Sequence, residues 1–375
     1  MDELLKDVPD YIKNLVPYPP GKPIEELERE YGIKDSIKLA SNENDLGPSP
    51  KAVEKLKKVI EKLHRYPDGS SYYLKKAISE KFECKMENIV LGNGSNELID
   101  FICRVFIRPG RNAISSKPSF LVYSKMVQIT GGENRIIPLR NNTHDLKGIR
   151  DAIDENTRII FLDNPNNPMG TVIKRADFDS FLRDLPTHLI VVMDEAYGEF
   201  VPNNTDWADA ITFFKRDERI VMLRTFSKAY ALAGLRIGYG IMNREISSLL
   251  ERVRQPFNVN LMAQEAALSA LSDENHLKVT LENNRKEMIR IKKELETLGC
   301  APLESNTNFM LIETFRDAKA VYEEMLRHGV IIRSMSSYGF PTYIRLTIGT
   351  REENNRFLKA FKKVLDKIPR GKGDI

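Results

Sequence analysis

Four short runs of branched apolar residues, each closed by polar or turn-forming residues, set the rhythm of the first two-thirds of the chain. They are NIVLGNG (88–94), RIIFLDNP (158–165), HLIVVMDEAY (188–197) and RIVMLRTFS (219–227). Their apolar positions are consecutive, not alternating, which predicts strands buried on both faces in a mostly parallel sheet covered by helices. Helical stretches separate them, such as SNELIDFICRVF (95–106), for which Ser95 is the expected cap. The expected fold class is therefore α/β, a large sheet flanked by helices. Ligands of such sheets gather at the carboxyl ends of strands, where the Asn-Gly, Asp-Asn-Pro and Asp-Glu endings fall.

The pattern changes near residue 272. A long amphipathic helix (about 276–298) leads into NTNFMLIE, a helix (317–328), GVIIRSM, YIRLTIG and a final helix (351–367). That alternation predicts a smaller α+β domain. Ahead of residue 50, the proline-rich segment around YPPGKP (18–23) is expected to run extended. The expected division is an N-terminal segment (1–50) that joins the small domain and the active site, a large domain (51–271) and a small C-terminal domain (272–375).

Composition adds mainly exclusions. With 41% hydrophobic and 29% charged residues and a net charge of +4, the balance is that of an ordinary globular protein. Lysine-rich stretches such as KAVEKLKKVIEKLH (51–64) are interspersed with acids and read as solvated helix faces, not as a nucleic-acid stripe. Cys84, Cys103 and Cys300 are far apart and do not cluster with the five histidines, so neither a disulfide framework nor a metal site is expected. No apolar run approaches the roughly 18 residues of a membrane span, and MDELLKDVPD lacks the basic-then-apolar pattern of a signal peptide. A cytoplasmic protein with neither nucleic acid nor membrane as partner is the expectation.

The richest segment chemically is RTFSKAYALAGLRIGYG (224–240). Thr225 and Ser227 offer hydroxyls, Lys228 an amine and Arg236 a guanidinium, among small residues that let a bulky group approach the backbone. Hydroxyls and arginine suit a phosphate, and a lysine amine can form an imine with an aldehyde. Pyridoxal phosphate carries both groups. One lysine among 57 Lys and Arg is by itself an ordinary surface charge, so the weight comes from its company. GNGSNELI (92–99) is a glycine turn entering a helix, where the Ser95 and Asn96 amides can cup an anion; a plain helix cap is the simpler alternative. It is not GxGxxG, which disfavours a dinucleotide site and with it a dehydrogenase. Asp194 closes the most apolar strand, where a carboxylate needs a cation such as a protonated pyridine nitrogen, or else caps the next segment. Asn167 in DNPNNPMG and Tyr197 in DEAY could reach the same ligand, and Phe120 in KPSFLVY is either a core aromatic or a stacking surface.

Taken in order, these motifs resemble the class I/II aminotransferases among the fold type I pyridoxal-phosphate enzymes. Within that group, LVPYPPGKP, KLASNENDLGPSP (38–50), RYPDGS (65–70), RQPFNVN (254–260), NTNFML (306–311) and IRLTIGTREEN (344–354) are similar to the histidinol-phosphate aminotransferase family. The resemblance implies that Lys228 carries the cofactor as an imine and moves the substrate proton. It implies that Asp194 pairs with the pyridinium, that Asn167 and Tyr197 bond the ring's phenolic oxygen, and that Phe120 stacks on the ring. Ser95, Asn96, Thr225, Ser227 and Arg236 would hold the phosphate, with Tyr66 reaching it from the other subunit of a homodimer. For substrate, Arg345 would pair with a carboxylate or phosphate, a task that suits a planar guanidinium. Arg333, Tyr18 and Asn308 would be second contacts, and Phe257 would come from the partner subunit.

The implied reaction moves an amino group from histidinol phosphate to 2-oxoglutarate, yielding glutamate, in histidine biosynthesis, without a metal. An aromatic amino acid aminotransferase would use the same residues; a threonine-phosphate decarboxylase and a non-catalytic binding or regulatory domain on this fold are the other readings. Two positions depart from the family pattern: Met169 stands where Thr is usual, and Asp45 where Pro is usual.

Overall fold

The structure is a computed structural model that describes residues 2–17 and 21–371. Among the described residues, the strands in chain order are β1 (Ile37–Lys38), β2 (Ile89–Gly92), β3 (Asn112–Lys117), β4 (Glu133–Pro138), β5 (Thr157–Asp163), β6 (Ile190–Asp194) and β7 (Ile220–Thr225). They continue as β8 (Gly238–Ile241), β9 (Ala301–Pro302), β10 (Phe309–Glu313), β11 (Val330–Ile331), β12 (Arg333–Ser334) and β13 (Tyr343–Thr347).

Seven of them form one sheet in the order β2-β8-β7-β6-β5-β3-β4, in which β8 alone runs against the rest. Every residue of β2, β6 and β7 is buried, as their unbroken apolar runs require of strands covered on both faces. On one face the helix Ser95–Phe106 packs Leu98, Phe101 and Ile102 against Val192, Val221 and Leu223. On the other, Phe178, Phe213 and Phe226 pack with Leu162, Met193 and Tyr239. The expected α/β class is what the molecule shows.

Two strands carry weaker patterns. In β4 most residues are partly or fully exposed, because it is the sheet edge. β8 is the glycine-rich GYGI, and its glycines answer to crowding. A Cβ on Gly238 would stand 2.5 Å from the Ser95 backbone nitrogen, and one on Gly240 would stand 2.7 Å from the Met242 methyl.

A four-stranded antiparallel sheet, β12-β13-β10-β9, forms a second core in which Met310, Ile344 and Leu346 meet Phe357, Phe361 and Val364 of the helix Arg351–Lys367. The helix Glu274–Thr297 serves both cores: Leu277 and Leu281 pack toward the large sheet, Ile291 and Leu295 toward the small one. The N-terminal segment docks on the small sheet's side through parallel pairing of β1 with β11. It is not extended up to residue 50, because Ile24–Tyr31 forms a helix. Pro23 precedes it, Glu25 and Glu26 occupy the positive first turn, and Gly32 ends it at φ +65°. Leu27 on this helix is fully buried against Leu326 and Ile331, an anchor that the neighbouring prolines mask in the sequence.

Candidate active site

The carboxyl ends of β5, β6 and β7 open into a cleft of about 250 Å³, closed on its far side by the N-terminal loop 40–43 and by residues of the small sheet. Its floor is Asp194. The carboxylate accepts from the Tyr123 hydroxyl (2.9 Å) and the Ala196 amide (3.1 Å), so the carboxylate also organises the turn after its own strand. Burial pushes this carboxyl up to about 6, neighbouring Asp163 adds to the rise, and the Tyr123 hydrogen bond and the Lys228 charge oppose it. A cation placed against Asp194 would relieve that strain.

At one end of the cleft the helix Ser95–Phe106 points its N-terminus inward. No side chain caps it: the N-cap is Gly94 at φ +78°, and Ser95 is already the first helical residue, not the expected cap. The absence of a Cβ there is functional, since one would lie 2.6 Å from Nη2 of Arg236. Thr225 and Ser227 close the cup, with their hydroxyl oxygens 3.0 Å apart. Arg236, itself left-handed at φ +57°, folds back to donate to the Ala233 carbonyl (3.0 Å). Two helix amides, two hydroxyls and a guanidinium thus converge where a phosphate would sit, at a helix N-terminus.

Lys228 lines the same cleft, and its Nζ donates to the Ser41 carbonyl at 3.0 Å. Burial lowers its pKa to about 8, and the positive charges of Arg345, Arg236 and Lys38 add to the effect against Glu43. Tyr197 accepts from Asn42 Nδ2 (2.8 Å) and Asn167 Nδ2 (3.4 Å), while burial pushes its phenol up to about 12. Phe120 lines the cleft and meets Tyr123 edge-on, with centroids 5.6 Å apart.

From the small sheet, Arg345 reaches across to donate to Asn167 Oδ1 (2.6 Å) and the Ala40 carbonyl (2.9 Å), above the Phe309 ring. Arg333 sits directly opposite Arg345 in the β12–β13 register and also lines the cleft. Asn308 stands one layer back: its side-chain amide donates to the Asn42 and Glu43 carbonyls, both at 3.1 Å, and so supports the loop. Tyr66 and Phe257 lie outside this cleft, stacked on each other at 4.7 Å and exposed by 82% and 43%. Tyr18 falls outside the described residues.

Sequence reasoning missed Tyr123, Asp163, Ser41, Asn42 and Tyr338, all of which line the cleft. Asn42 had a local signal, a polar run directly after the apolar Leu39 and Ala40 in KLASNEN. Tyr123 had only its spacing from Phe120, and Tyr338 had none.

The donors and acceptors fit pyridoxal phosphate: an anion cup, an amine and a buried carboxylate share one cleft, and the glycine at 94 keeps the cup open. The chain belongs to the aminotransferase class I and II family, whose model matches residues 34–361. It is 52% identical to the histidinol-phosphate aminotransferase of Desulfotalea psychrophila, over 96% of each chain. It is 42% identical to that of Moorella thermoacetica, covering 94% of this chain and 92% of the relative. Among solved structures, it superposes with a TM-score of 0.89 on histidinol-phosphate aminotransferase from Sinorhizobium meliloti in complex with pyridoxal-5'-phosphate, at 28% identity, covering 96% of this chain and 98% of the other.

Proposed function

We propose that the protein exchanges an amino group between histidinol phosphate and 2-oxoglutarate, with Lys228 as its catalytic residue. The observation that carries this reading is the pair Arg333 and Arg345, side by side on β12 and β13 and both lining the cleft that holds Lys228. Residues directly opposite in an antiparallel pair share a face, so the two guanidiniums can converge on one dianion. A phosphate carries nearly two charges and three acceptor oxygens, and charge-assisted bonds to it should exceed those to a single carboxylate. The same anchor accepts a carboxylate of glutamate, which lets one cleft serve both substrates in turn.

When bound, pyridoxal phosphate supplies an aldehyde for the amine and a ring that draws electrons from the substrate carbon. The chain's own residues do the rest. Asp194 would hold a proton on the ring nitrogen. Tyr197 and Asn167 would meet the phenolic oxygen, and the cup of Ser95, Asn96, Thr225, Ser227 and Arg236 would hold the phosphate. Lys228 Nζ, its pKa lowered to about 8 by burial, would take the proton from the amine-bearing carbon of the substrate.

The reading also takes the protein as a cytoplasmic homodimer, in which Tyr66 and Phe257 enter the partner's cleft. Their exposure and mutual stacking outside their own cleft support it. Among the described residues, no helix is long and apolar enough to cross a membrane.

The test is a comparison of kcat/KM for histidinol phosphate and for phenylalanine, each with 2-oxoglutarate. Histidinol phosphate should lead. A tenfold advantage for phenylalanine, about 1.4 kcal/mol, would keep the aminotransferase and replace the substrate with an aromatic amino acid.

A further inference from the structure

We infer that Asp163 is a positioning residue that ties the aromatic wall of the cleft to its substrate anchor; the inference rests on the aminotransferase reading above. Asp163 ends β5 beside Asp194, its partner in the β5–β6 register, and is buried. Its Oδ1 accepts from Ser119 Oγ (2.7 Å) and Asn166 Nδ2 (3.1 Å), and His144 Nε2 lies 3.2 Å from it. Its Oδ2 accepts from the Asn167 amide (2.8 Å) and again from Asn166 Nδ2 (3.2 Å). Every partner is a donor. The two carboxylate oxygens can accept about four hydrogen bonds, enough for such a shell.

Those donors come from two loops, which Asn166 Nδ2 also links by donating to the Pro118 carbonyl (3.4 Å). Ser119 precedes Phe120, the aromatic that lines the cleft. The end of β3, just before the Ser119 loop, is held as well, through His144. Its Nε2 faces two acceptors of Asp163, Oδ1 and the backbone carbonyl (3.0 Å), so Nε2 carries the hydrogen. Its Nδ1 lies in hydrogen-bond contact with Ser116 Oγ at 2.7 Å. On the other side, the Asn167 amide fixes a residue whose side chain donates to Tyr197 and accepts from Arg345. One carboxylate therefore sets Phe120, Asn167 and, through Asn167, Arg345. The plain alternative is a turn-forming aspartate that only stabilises the fold.

Asp163→Asn separates the two. The amide keeps the shape but offers one acceptor oxygen where two stand, and turns an NH2 group toward donors. In the cofactor-loaded enzyme, the pH midpoint of the visible absorbance should move by half a unit or more. The KM for 2-oxoglutarate should rise about tenfold, more than kcat falls. A lower melting temperature with midpoint and KM unchanged would overturn the inference. Should the variant not fold, Ser119→Ala, Asn166→Ala and their double variant take its place, since both side chains donate to Asp163. Because both act through Asp163, their combined effect on the midpoint should fall clearly short of the sum, and simple additivity would overturn the inference. The absorbance readout needs only the cofactor. A wild type that binds cofactor but ignores histidinol phosphate would defeat the substrate reading and leave the Asp163 result standing.

Discussion

At Lys228 and Asp194 the cleft places two charged groups where burial opposes both charges, and the two respond in opposite directions. The lysine is lowered to about 8 and the carboxyl is raised to about 6. The neutral amine attacks an aldehyde, so it becomes available as pH rises through about 8, well below the 10.5 of an ordinary lysine. Capture of pyridoxal phosphate by the apoprotein, followed by visible absorbance, should therefore accelerate with a midpoint near pH 8. A midpoint near 10 would mean that the amine is solvated. Asp194→Ala should leave a folded protein with weakened cofactor binding. Removing one partner of a buried ion pair costs about 3–5 kcal/mol, a hundredfold or more in affinity. Equilibrium titration of the apoprotein measures this directly, and an unchanged affinity would reduce Asp194 to its hydrogen bond with Ala196.

Among the elements, how legible each was in the sequence depended on where its partners lie. β5, β6 and β7 announce themselves because burial on both faces demands unbroken apolar runs. The edge strand β4 and the glycine-rich β8 do not, since solvent relaxes one and backbone crowding dictates the other. The helix Ile24–Tyr31 was hidden by flanking prolines, and its single deep anchor, Leu27, gives little periodicity. The site divides the same way. Lys228, Asp194, Asn167 and Arg236 sit in local motifs whose chemistry can be read in a line. Tyr123 meets Asp194 71 residues on, and Asp163 meets Ser119 44 residues back, pairings that no local pattern displays. The contact between β8 and the anion cup yields a further prediction. Gly238→Ala would press a methyl against the Ser95 and Gly94 backbone, which cannot yield as a flexible side chain can. The helix N-terminus must retreat, so cofactor affinity should fall at least tenfold. Isothermal titration with pyridoxal phosphate would show this, and wild-type affinity would mean that the cup tolerates the displacement.

For the whole molecule, the proposed dimer is tested by mixing. Tyr66→Phe and Lys228→Ala proteins, each impaired, should form hybrids in which one cleft carries both defects and the other carries neither. Recovery of activity above both parents requires the two subunits to share their clefts; a fully active monomer by light scattering would remove the idea. The cleft is also assembled from distant parts of a single chain. The carbonyl that receives Lys228 belongs to Ser41, and the neighbouring Asn42 amide is held by Thr347, 305 residues further on. β1 likewise pairs with β11. During synthesis, the segment around Ser41 leaves the ribosome early, but its pairings with β11 and with Thr347 form only once the end of the chain emerges. Until then Lys228 lacks both its Ser41 acceptor and the Arg345 charge that helps to depress it. A half-made chain thus lacks the Arg345 share of that depression, which is complete only when the last strand is in place.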